Sequence, residues 1–184
     1  MIRTHEDLKR YIRNDNSFVK RDKGHYRYMR KVLDSEYYLV KYLYYLRMQE
    51  YYINTHNGNP FKKMCGLIYE AKKHRLGNKL GLDIGANCAE EGLTVFHHGT
   101  VIINPDAKIG KNCKLHGNNC IGNNGKENLN PIIGDNVDIG FGAVIIGNVV
   151  LADGIIVGAN AVVNKSFTTP GVTIAGVPAR IIKK

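Results

Sequence analysis

A strict six-residue period of aliphatic residues in the second half of the chain constrains its fold more than any other feature. Strands alternate with a period of two and helix faces with a period of 3.6, so neither explains a period of six. A short fixed period of this kind indicates a solenoid. The ten positions in phase are Ile103, Ile109, Leu115, Ile121, Ile133, Ile139, Ile145, Leu151, Val157 and Val163.

The period predicts a parallel β-helix. Each six-residue unit forms a short strand and a turn, and its aliphatic residue points inward and stacks on the equivalent residue of the next coil. Three units close a triangular coil, and the coils stack about 4.8 Å apart. The step at Glu127 is not aliphatic, and the Asn- and Gly-rich segment around it predicts one extruded loop at about 122–132. Loops on a rigid scaffold often carry function.

Residues 1–80 differ in composition from the rest of the chain. They contain 18 Lys and Arg against 8 Asp and Glu, whereas residues 81–184 contain 8 of each. All 11 tyrosines precede residue 70, and 16 of the 20 glycines follow residue 80. We therefore predict an α+β chain with a helical N-terminal domain at 1–80 and a β-helix domain with a C-terminal cap at 81–184.

Capping signals and apolar spacing predict four helices in residues 1–80. The first begins at a capping box in residues 4–7 and ends at residues 14–17. The second covers about residues 26–33, and the third follows Asp34 and Ser35. The fourth begins at Pro60 and ends at Gly77. Its predicted apolar stripe consists of Met64, Leu67, Ile68 and Ala71.

The positive charge of residues 1–80 has three interpretations. A solvated helical face is the simplest one. The second is a surface that attracts an anionic acceptor or membrane headgroups, so peripheral association with a membrane or an anionic glycan through the basic helices is a hypothesis. Nucleic-acid binding is disfavoured, because no reader motif accompanies the charge.

Composition also bounds the location of the protein. No apolar run reaches membrane-spanning length, and the chain opens with polar and charged residues, unlike a secretory signal. We therefore expect a cytoplasmic protein. The four cysteines are widely spaced, without a CxxC motif, which favours buried thiols over disulfides: Cys65, Cys88, Cys113 and Cys120.

Three features together resemble the left-handed β-helix hexapeptide-repeat acyltransferases. They are the six-residue repeats, the segment from Gly92 to His97 that leads into Ile103-Asn104, and the terminal residues 175–180, Ala-Gly-Val-Pro-Ala-Arg. The resemblance covers residues 81–184 well and residues 1–80 loosely. It is strongest to the serine acetyltransferases and the O-acetyltransferases of surface polysaccharides. It implies a left-handed coil, a homotrimer with active sites between neighbouring subunits, and acetyl-CoA as donor without a metal.

The resemblance assigns the catalytic histidine to His97, five residues after Gly92, and its orienting aspartate to Asp83, fourteen residues earlier. A neutral imidazole removes the proton of a hydroxyl as that hydroxyl attacks a thioester, and a carboxylate fixes the imidazole tautomer. His98 is the competing base. His97 also lies in the phase of Ile103, so a core position is the alternative, and we expect an irregular coil register at this corner.

Two departures from the serine acetyltransferases favour a sugar hydroxyl of a surface polysaccharide as acceptor. Phe96 replaces the aspartate that precedes their histidine, and residues 128–131 read Asn-Leu-Asn-Pro where their loop ends Asp-Arg-His-Pro. Phe, Leu and Asn cannot pair with the charges of an amino acid, whereas an aromatic ring packs well against a pyranose. Serine is the alternative acceptor. The predicted acceptor-binding residues are Phe96, His98 and Asn130.

The resemblance places CoA along the coil near its C-terminal end. Small residues there let the pantetheine arm approach, and two cations suit the phosphates of CoA. The predicted donor-binding residues are Gly142, Ala143, Ala159, Lys165 and Arg180.

Two other classes stay open. The first is a zinc hydratase on the same coil, like the γ-class carbonic anhydrases, with His97, His98 and His116 as ligands. The second is a scaffold without catalysis. Transfer to an amine of a nucleotide sugar is an alternative within the acyltransferase class.

Overall fold

The computed structural model describes residues 1–19, 22–126 and 128–183. Its N-terminal part contains four α-helices: α1 His5–Asn14, α2 Lys23–Lys31, α3 Ser35–Thr55 and α4 Pro60–Leu80. The capping box predicted for α1 is confirmed, because Thr4 Oγ1 accepts from the amide of Asp7 and the Asp7 carboxylate accepts from the amide of Thr4, both at 3.0 Å. Asp22, Asp34 and Asn59 cap the other three helices.

The predicted end of α4 is wrong by one turn. The helix continues through Gly77 to Leu80, and Gly81 caps it with a φ of 75°. Gly77 is needed for a different reason, because a Cβ there would overlap the Leu82 carbonyl oxygen and touch the Tyr42 ring. A helix and the first strand of the coil therefore approach each other at Gly77.

The predicted apolar stripe of α4 does not pack within this chain. Met64 is 51% exposed, Leu67 58% and Ile68 44%. Tyrosine rings and small residues form the contact between α3 and α4 instead, including the stacked rings of Tyr52 and Tyr69, whose centroids lie 5.7 Å apart. Periodicity locates an apolar face but does not decide whether the same chain covers it.

The second part of the described chain consists of short strands in three parallel sheets. The strands are β1 Leu82–Ile84, β2 Thr94–Val95, β3 Val101–Ile103, β4 Lys108–Ile109, β5 Lys114–Leu115, β6 Cys120–Gly122, β7 Ile132–Ile133, β8 Asp138–Ile139, β9 Val144–Ile146, β10 Val150–Leu151, β11 Ile156–Val157, β12 Val162–Val163, β13 Thr173–Ala175 and β14 Arg180–Lys183. The sheet orders are β1-β3-β6-β9-β12, β10-β7-β4 and β14-β13-β11-β8-β5-β2. From β2 to β12, successive strands visit the three sheets in turn, as in a triangular coil. Of the described strands, only β14 runs antiparallel, as a cap on β13.

The strand register gives the length of each coil. Val144 pairs with Val162 and Ile132 with Val150, so a regular coil consists of three six-residue units. Lys108 instead pairs with Ile132, one whole unit further along the chain than a regular coil would place its partner. The additional unit is the predicted loop, which contains no strand between Gly122 and Ile132 in the residues described.

The ten residues of the six-residue period form the core of the coil, as predicted. Each is at most 3% exposed. Three residues after many of them, the chain turns through a left-handed conformation, at Asn112, Asn118, Asn136 and Asn160 and at Gly142 and Gly154. Asn is one of the few non-glycine residues that adopt this conformation readily, because its short amide bonds to nearby backbone.

Residues of α3 complete this core at the N-terminal end of the coil. Leu39, Tyr42, Leu43 and Leu46 belong to the same buried cluster as the coil interior. The junction between helices and coil falls at Gly81, close to the predicted boundary, while the division into two domains stays a prediction. Within the described residues, no helix is long and apolar enough to cross a membrane.

Candidate active site

The corner that carries the two histidines interrupts the regular register of the coil. Val95 in β2 pairs with Leu115 in β5, whereas a coil of three regular units would place Cys113 beside it. Val95 is fully buried and takes the inward position that the six-residue period would give to residue 97. His97 and His98 are consequently exposed. The expected irregularity is therefore present, and His97 is not a core residue.

An aromatic cluster of Phe18, Phe96 and His116 borders the His97 corner. The ring centroid of Phe96 lies 5.1 Å from that of Phe18 and 4.7 Å from that of His116. His97 also lies against Gly117, where an added Cβ would come within 3.5 Å of the His97 Cβ. The corner therefore combines two imidazoles, the exposed ring of His97 and the ring of His116 tilted against Phe96, with an apolar wall.

His116 makes a hydrogen bond with a carboxylate one coil away. Its Nε2 lies 2.8 Å from Asp138 Oδ1, and the two side chains are 40% and 32% exposed. Lys114 also lies 3.8 Å from the Asp138 carboxylate. When Nε2 of His116 carries the proton, Nδ1 keeps a lone pair that accepts a proton or a hydrogen bond. This is a histidine–carboxylate pair beside the predicted base.

Asp83 is the exposed central residue of β1 and lines a cleft of about 670 Å³ between α3, α4 and the sheet that contains β1. Two contacts fix β1 at this position. The hydroxyl of Tyr42 accepts from the amide of Ile84 at 3.0 Å, and Lys73 Nζ donates to the carbonyl of Ile84 at 3.0 Å. The helices therefore hold the free edge of β1 and orient Asp83 toward the cleft.

The cleft presents both signs of charge. Glu70 and Asp83 supply carboxylates, while Lys73 and His74 supply cationic or proton-donating groups. Burial lowers the pKa of Lys73, and the nearby charges of Asp83 and Glu70 oppose that shift. Gln49 is 3% exposed, and its Oε1 has no hydrogen-bond partner among the described residues. Buried polar atoms are usually paired, so an unpaired acceptor at the cleft wall suits a ligand that donates a hydrogen bond.

Asp83 and His97 do not touch within one chain. Asp83 pairs with Ile102 across the strands, five residues beyond His97, and no hydrogen bond found in the described part of the chain joins the two side chains. His97 is also absent from the lining of the Asp83 cleft. The assignment of Asp83 as the orienting carboxylate therefore stays a prediction.

Asn130 at the end of the extruded loop is a partly buried residue with an unpaired amide. Both Oδ1 and Nδ2 of its side chain are buried without a hydrogen-bond partner in the residues that the structure describes. Leaving such groups unpaired costs about 1–3 kcal/mol each. The arrangement suits a ligand or partner that pairs the amide, in line with the predicted role of Asn130.

The predicted donor-binding residues occupy the C-terminal half of the coil but do not form one cluster. Ala143 is fully buried, so its side chain faces the core. Gly142 and Ala159 lie at turns of the coil surface. Lys165 is exposed, with its ammonium 5.5 Å from the Phe167 ring centre, and Arg180 is exposed at the start of β14. The donor site as a whole stays a prediction.

The three histidines proposed as zinc ligands do not form a metal site here. In the part of the chain that the structure describes, no three His, Cys, Asp or Glu side chains are arranged to hold a metal ion. The four cysteines are free thiols, and burial raises the pKa of Cys88 and Cys113 to about 12.

The structure adds residues that the sequence pattern did not single out: Gln49, Lys73, His74, His116 as a carboxylate-paired imidazole, and Asp138. Lys73 could have been noticed as a lysine on the side of α4 that also carries Gly66 and Gly77. The pairing of His116 with Asp138 depends on a register that no short motif records.

Comparison with solved structures identifies similar proteins along nearly the whole chain. A soybean serine acetyltransferase complexed with serine has 26% identity and a TM-score of 0.72, covering 96% of this chain and 70% of that chain. A serine acetyltransferase from Brucella abortus strain S19 has 25% identity and a TM-score of 0.68, covering 97% and 68%. A serine acetyltransferase in complex with CoA has 22% identity and a TM-score of 0.64, covering 79% and 57%.

No protein-family model matches the sequence, and the comparison with curated proteins finds no match either. The structural similarity confirms the predicted left-handed sense of the coil. It also extends to the helices, which the sequence resemblance had covered only loosely.

Proposed function

We propose that this chain, an acyltransferase of the hexapeptide-repeat left-handed β-helix family, moves an acetyl group from acetyl-CoA to the side-chain hydroxyl of serine. The observation that carries the proposal is the similarity over 96% of the chain to a serine acetyltransferase solved with serine. The departures at Phe96 and in the loop had favoured a sugar. The similarity of both the helices and the coil supports serine over a polysaccharide acceptor.

His97 is proposed as the general base. Its imidazole is exposed at an irregular corner, where an acceptor hydroxyl can approach it. It removes the hydroxyl proton as the oxygen attacks the thioester carbonyl, and a new C–O bond forms. The C–S bond then breaks, and the imidazolium returns the proton to the CoA sulfur. A backbone N–H of the coil is expected to stabilise the oxyanion.

The charges of the Asp83 cleft support an amino acid as acceptor. A zwitterion needs a carboxylate near its ammonium and a cation or hydrogen-bond donor near its carboxylate. The cleft offers Asp83 and Glu70 for the first, and Lys73 and the His74 ring for the second. Gln49 Oε1, which has no hydrogen-bond partner among the described residues, is a further acceptor for an ammonium. Phe96 and the loop lack the charged residues that serine acetyltransferases have at these positions. In this proposal, charged and polar groups of α4 and of the cleft pair with the amino acid instead.

We further propose a homotrimer with sites between subunits. One chain leaves His97 outside the Asp83 cleft and, in its described residues, leaves the Asn130 amide unpaired. Both features are expected of an active site that a second subunit completes. Acetyl-CoA is the proposed donor, and Gly142, Ala159, Lys165 and Arg180 are proposed to contact it. Acetyl transfer by general base catalysis, as proposed here, uses neither a nucleic acid nor a metal.

The function is tested by release of CoA thiol from acetyl-CoA in the presence of serine, free sugars, nucleotide sugars or polysaccharide. We expect turnover with serine. His97→Ala should lower kcat by at least about a hundredfold, because general base catalysis contributes about 10²–10⁴. His98→Ala distinguishes the two candidate bases: with His97 as the base it should change kcat by only a few fold, and a larger loss than that of His97→Ala would assign the base to His98.

Asp83 has two proposed roles that kinetics can separate. If it orients His97 in the assembled protein, Asp83→Asn lowers kcat and leaves the KM for serine unchanged. If it binds the ammonium of serine, the same variant raises that KM. Turnover that survives His97→Ala but not His116→Ala would assign the base to the His116–Asp138 pair. Absence of thiol release with every hydroxyl acceptor would contradict the function itself.

A sugar hydroxyl is the second candidate acceptor, and one observation favours it. Phe96 lies between Phe18 and His116 with its ring tilted to both, which makes an aromatic wall beside His97. Such a wall suits the apolar face of a pyranose, with the lone pair of His116 available to a sugar hydroxyl. Phe96→Ala should then raise the KM for a glycan acceptor.

A further inference from the structure

A basic groove lies between α3 and α4, away from the His97 corner. Its volume is about 220 Å³, and it is lined by Tyr38, Lys41, Tyr45, Lys72, Arg75, Leu76 and Lys79. Each helix contributes residues at i, i+3 and i+7, which are Tyr38, Lys41 and Tyr45 on α3 and Lys72, Arg75 and Lys79 on α4. Residues at this spacing lie along one face of a helix, over a length of about 10 Å.

Tyrosine side chains, and not carboxylates of the described residues, contact the groove lysines, and Lys41 Nζ donates to the Tyr37 hydroxyl at 3.5 Å. The Lys41 ammonium lies 5.4 Å from the centre of the Tyr37 ring and 5.9 Å from that of Tyr45. The Lys72 ammonium lies 6.0 Å from the Tyr45 ring centre and 5.0 Å from that of Tyr69. Two ammonium groups from different helices therefore share the Tyr45 ring. A cation–π contact orients a cation without neutralising it.

The four cations of the groove form no ion pair with a carboxylate of the described residues. Other cations of the chain are paired, such as Arg47 with Asp15 and Lys114 with Asp138. Neighbouring positive charges repel one another, and an anion bound among these four cations would offset that repulsion. Tyr38 and Tyr45 also line the groove, and a phenol hydroxyl is a neutral donor.

The positive charge extends along the groove. Contacts of Tyr52 with Tyr69 and of Tyr45 with Lys72 show that α3 and α4 run antiparallel. Lys72 thus lies at the Tyr45 end, and Lys79 lies two helical turns away at the Tyr38 end. Three ammonium groups and one guanidinium spread over this length match a group with several anionic oxygens better than one carboxylate. A groove volume of about 220 Å³ admits such a group.

We propose that the α3–α4 groove binds the diphosphate group of a phosphorylated ligand. Lys41, Lys72, Arg75 and Lys79 contact its oxygens, and Tyr38 and Tyr45 donate hydrogen bonds to it. The rest of the ligand stays outside the groove. The diphosphate comes either from a soluble ester or from a phospholipid-like carrier at a membrane surface. This proposal stands on the groove alone and does not depend on the acceptor or on acetyl transfer.

The test compares two triple variants of the full chain that lose the same charge. The groove variant is Lys72→Gln/Arg75→Gln/Lys79→Gln, and the control on α2 is Lys23→Gln/Arg27→Gln/Arg30→Gln, whose side chains are also exposed. Binding of inorganic pyrophosphate is measured by calorimetry at low ionic strength. We expect the groove variant to bind at least roughly tenfold more weakly than wild type. The control variant should stay within about twofold, because long-range charge alone is screened.

A second arm identifies the source of the phosphate. Wild type and both variants are sedimented with vesicles of phosphatidylcholine, with and without phosphatidylglycerol. Binding to the anionic vesicles that pyrophosphate displaces, and that the groove variant loses, supports a membrane carrier. Pyrophosphate binding without vesicle binding supports a soluble ester. Failure of wild type to bind either probe overturns the proposal, and so does an equal loss in the two variants. Unchanged thermal unfolding of both variants establishes that each is folded.

Discussion

The strongest stability prediction concerns Arg47, a buried cation between the helices and the start of the coil. Its side chain is fully buried, and the side chains of Asp15 and Glu50 are each only 2% exposed. It donates to Asp15 at 2.7 and 3.3 Å and to Glu50 at 2.9 and 3.2 Å. It also donates to the carbonyls of Ala89 and Glu90 at 2.8 and 2.9 Å. Replacing Arg47 with methionine keeps much of the apolar stem and removes every one of these donors.

The size of the effect follows from what the guanidinium leaves behind. Two buried carboxylates lose the cation that both of them contact, and two carbonyls lose their donors. The carboxylates keep backbone partners, since Asp15 accepts from the amides of Gly92 and Leu93. Breaking a buried ion pair by removing one partner costs about 3–5 kcal/mol. We therefore expect Arg47→Met to lower the free energy of unfolding by about 3–5 kcal/mol.

Urea unfolding at one fixed protein concentration measures this loss, since assembly would make the result concentration-dependent. Arg27→Met on the exposed surface of α2 is the matched control and should change stability by less than about 0.5 kcal/mol. Adding Glu50→Gln to Arg47→Met should recover part of the loss, because it removes one of the two uncompensated charges. A loss below about 1 kcal/mol for Arg47→Met would refute the reasoning.

Three further predictions concern other parts of the fold. Backbone and side-chain hydrogen bonds lower the pKa of Asp7 from 3.8 to about 2. The stability that Asp7 contributes is therefore present above pH 3.8 and lost as the pH falls toward 2. Asp7→Asn should reduce this loss of stability at low pH, as measured by urea unfolding across that pH range. Gly81→Ala should lower the free energy of unfolding by about 2–5 kcal/mol, because an alanine is strained at this left-handed φ and its Cβ would lie 2.7 Å from the Gly99 oxygen. Gly58 has a positive φ but open space around it, so Gly58→Ala should lower it by only about 1–2 kcal/mol. Ile145→Ala should cost about 2–5 kcal/mol in the same assay through the cavity that it leaves in the coil.

The sequence predicts the coil core because a solenoid repeats one physical requirement. Each six-residue unit must bury one aliphatic side chain, so the same residue type recurs at the same interval, as at Ile139, Ile145 and Leu151. The helix starts are predictable for a similar reason, because Thr4 and Asp34 satisfy amide groups that every helix leaves unpaired. Local requirements of this kind are written in a few neighbouring residues.

Contacts that depend on register are not predictable in this way. In an uninterrupted coil of three units His116 would lie beside residue 134, and the additional unit of the loop shifts that position to residue 140. Asp138 thereby pairs with His116. Likewise, Val95 is out of phase with Ile103, so the pattern alone does not reveal that Val95, and not His97, is stacked on Leu115. Only the strand pairing shows it.

The unpartnered stripe of α4 illustrates a second limit. Met64, Leu67 and Ile68 have the spacing of a buried face, yet they are exposed in this chain. The side of α4 that packs on α3 is built from Gly66 and Gly77, which a hydrophobicity pattern does not mark. Close helix packing through small residues produces no apolar signal in the sequence.

The coil departs from its six-residue period at the two places that carry candidate site residues, His97 and Asn130. A regular unit directs its aliphatic residue inward and leaves little freedom at the turn that follows. The two additional residues between Val95 and Ile103 move His97 out of the core column, and the additional unit between Ile121 and Ile133 creates the loop that ends at Asn130.

Deleting His98 and Gly99 together should therefore restore a coil of three regular units at this corner. Residue 97 would then take the turn position that Phe141 has two residues after the inward Ile139. Because the imidazole would leave the irregular corner, we expect this deletion to abolish acetyl transfer while preserving the β signature in circular dichroism. A deletion variant that still turns over acetyl-CoA would contradict the role of the irregular corner.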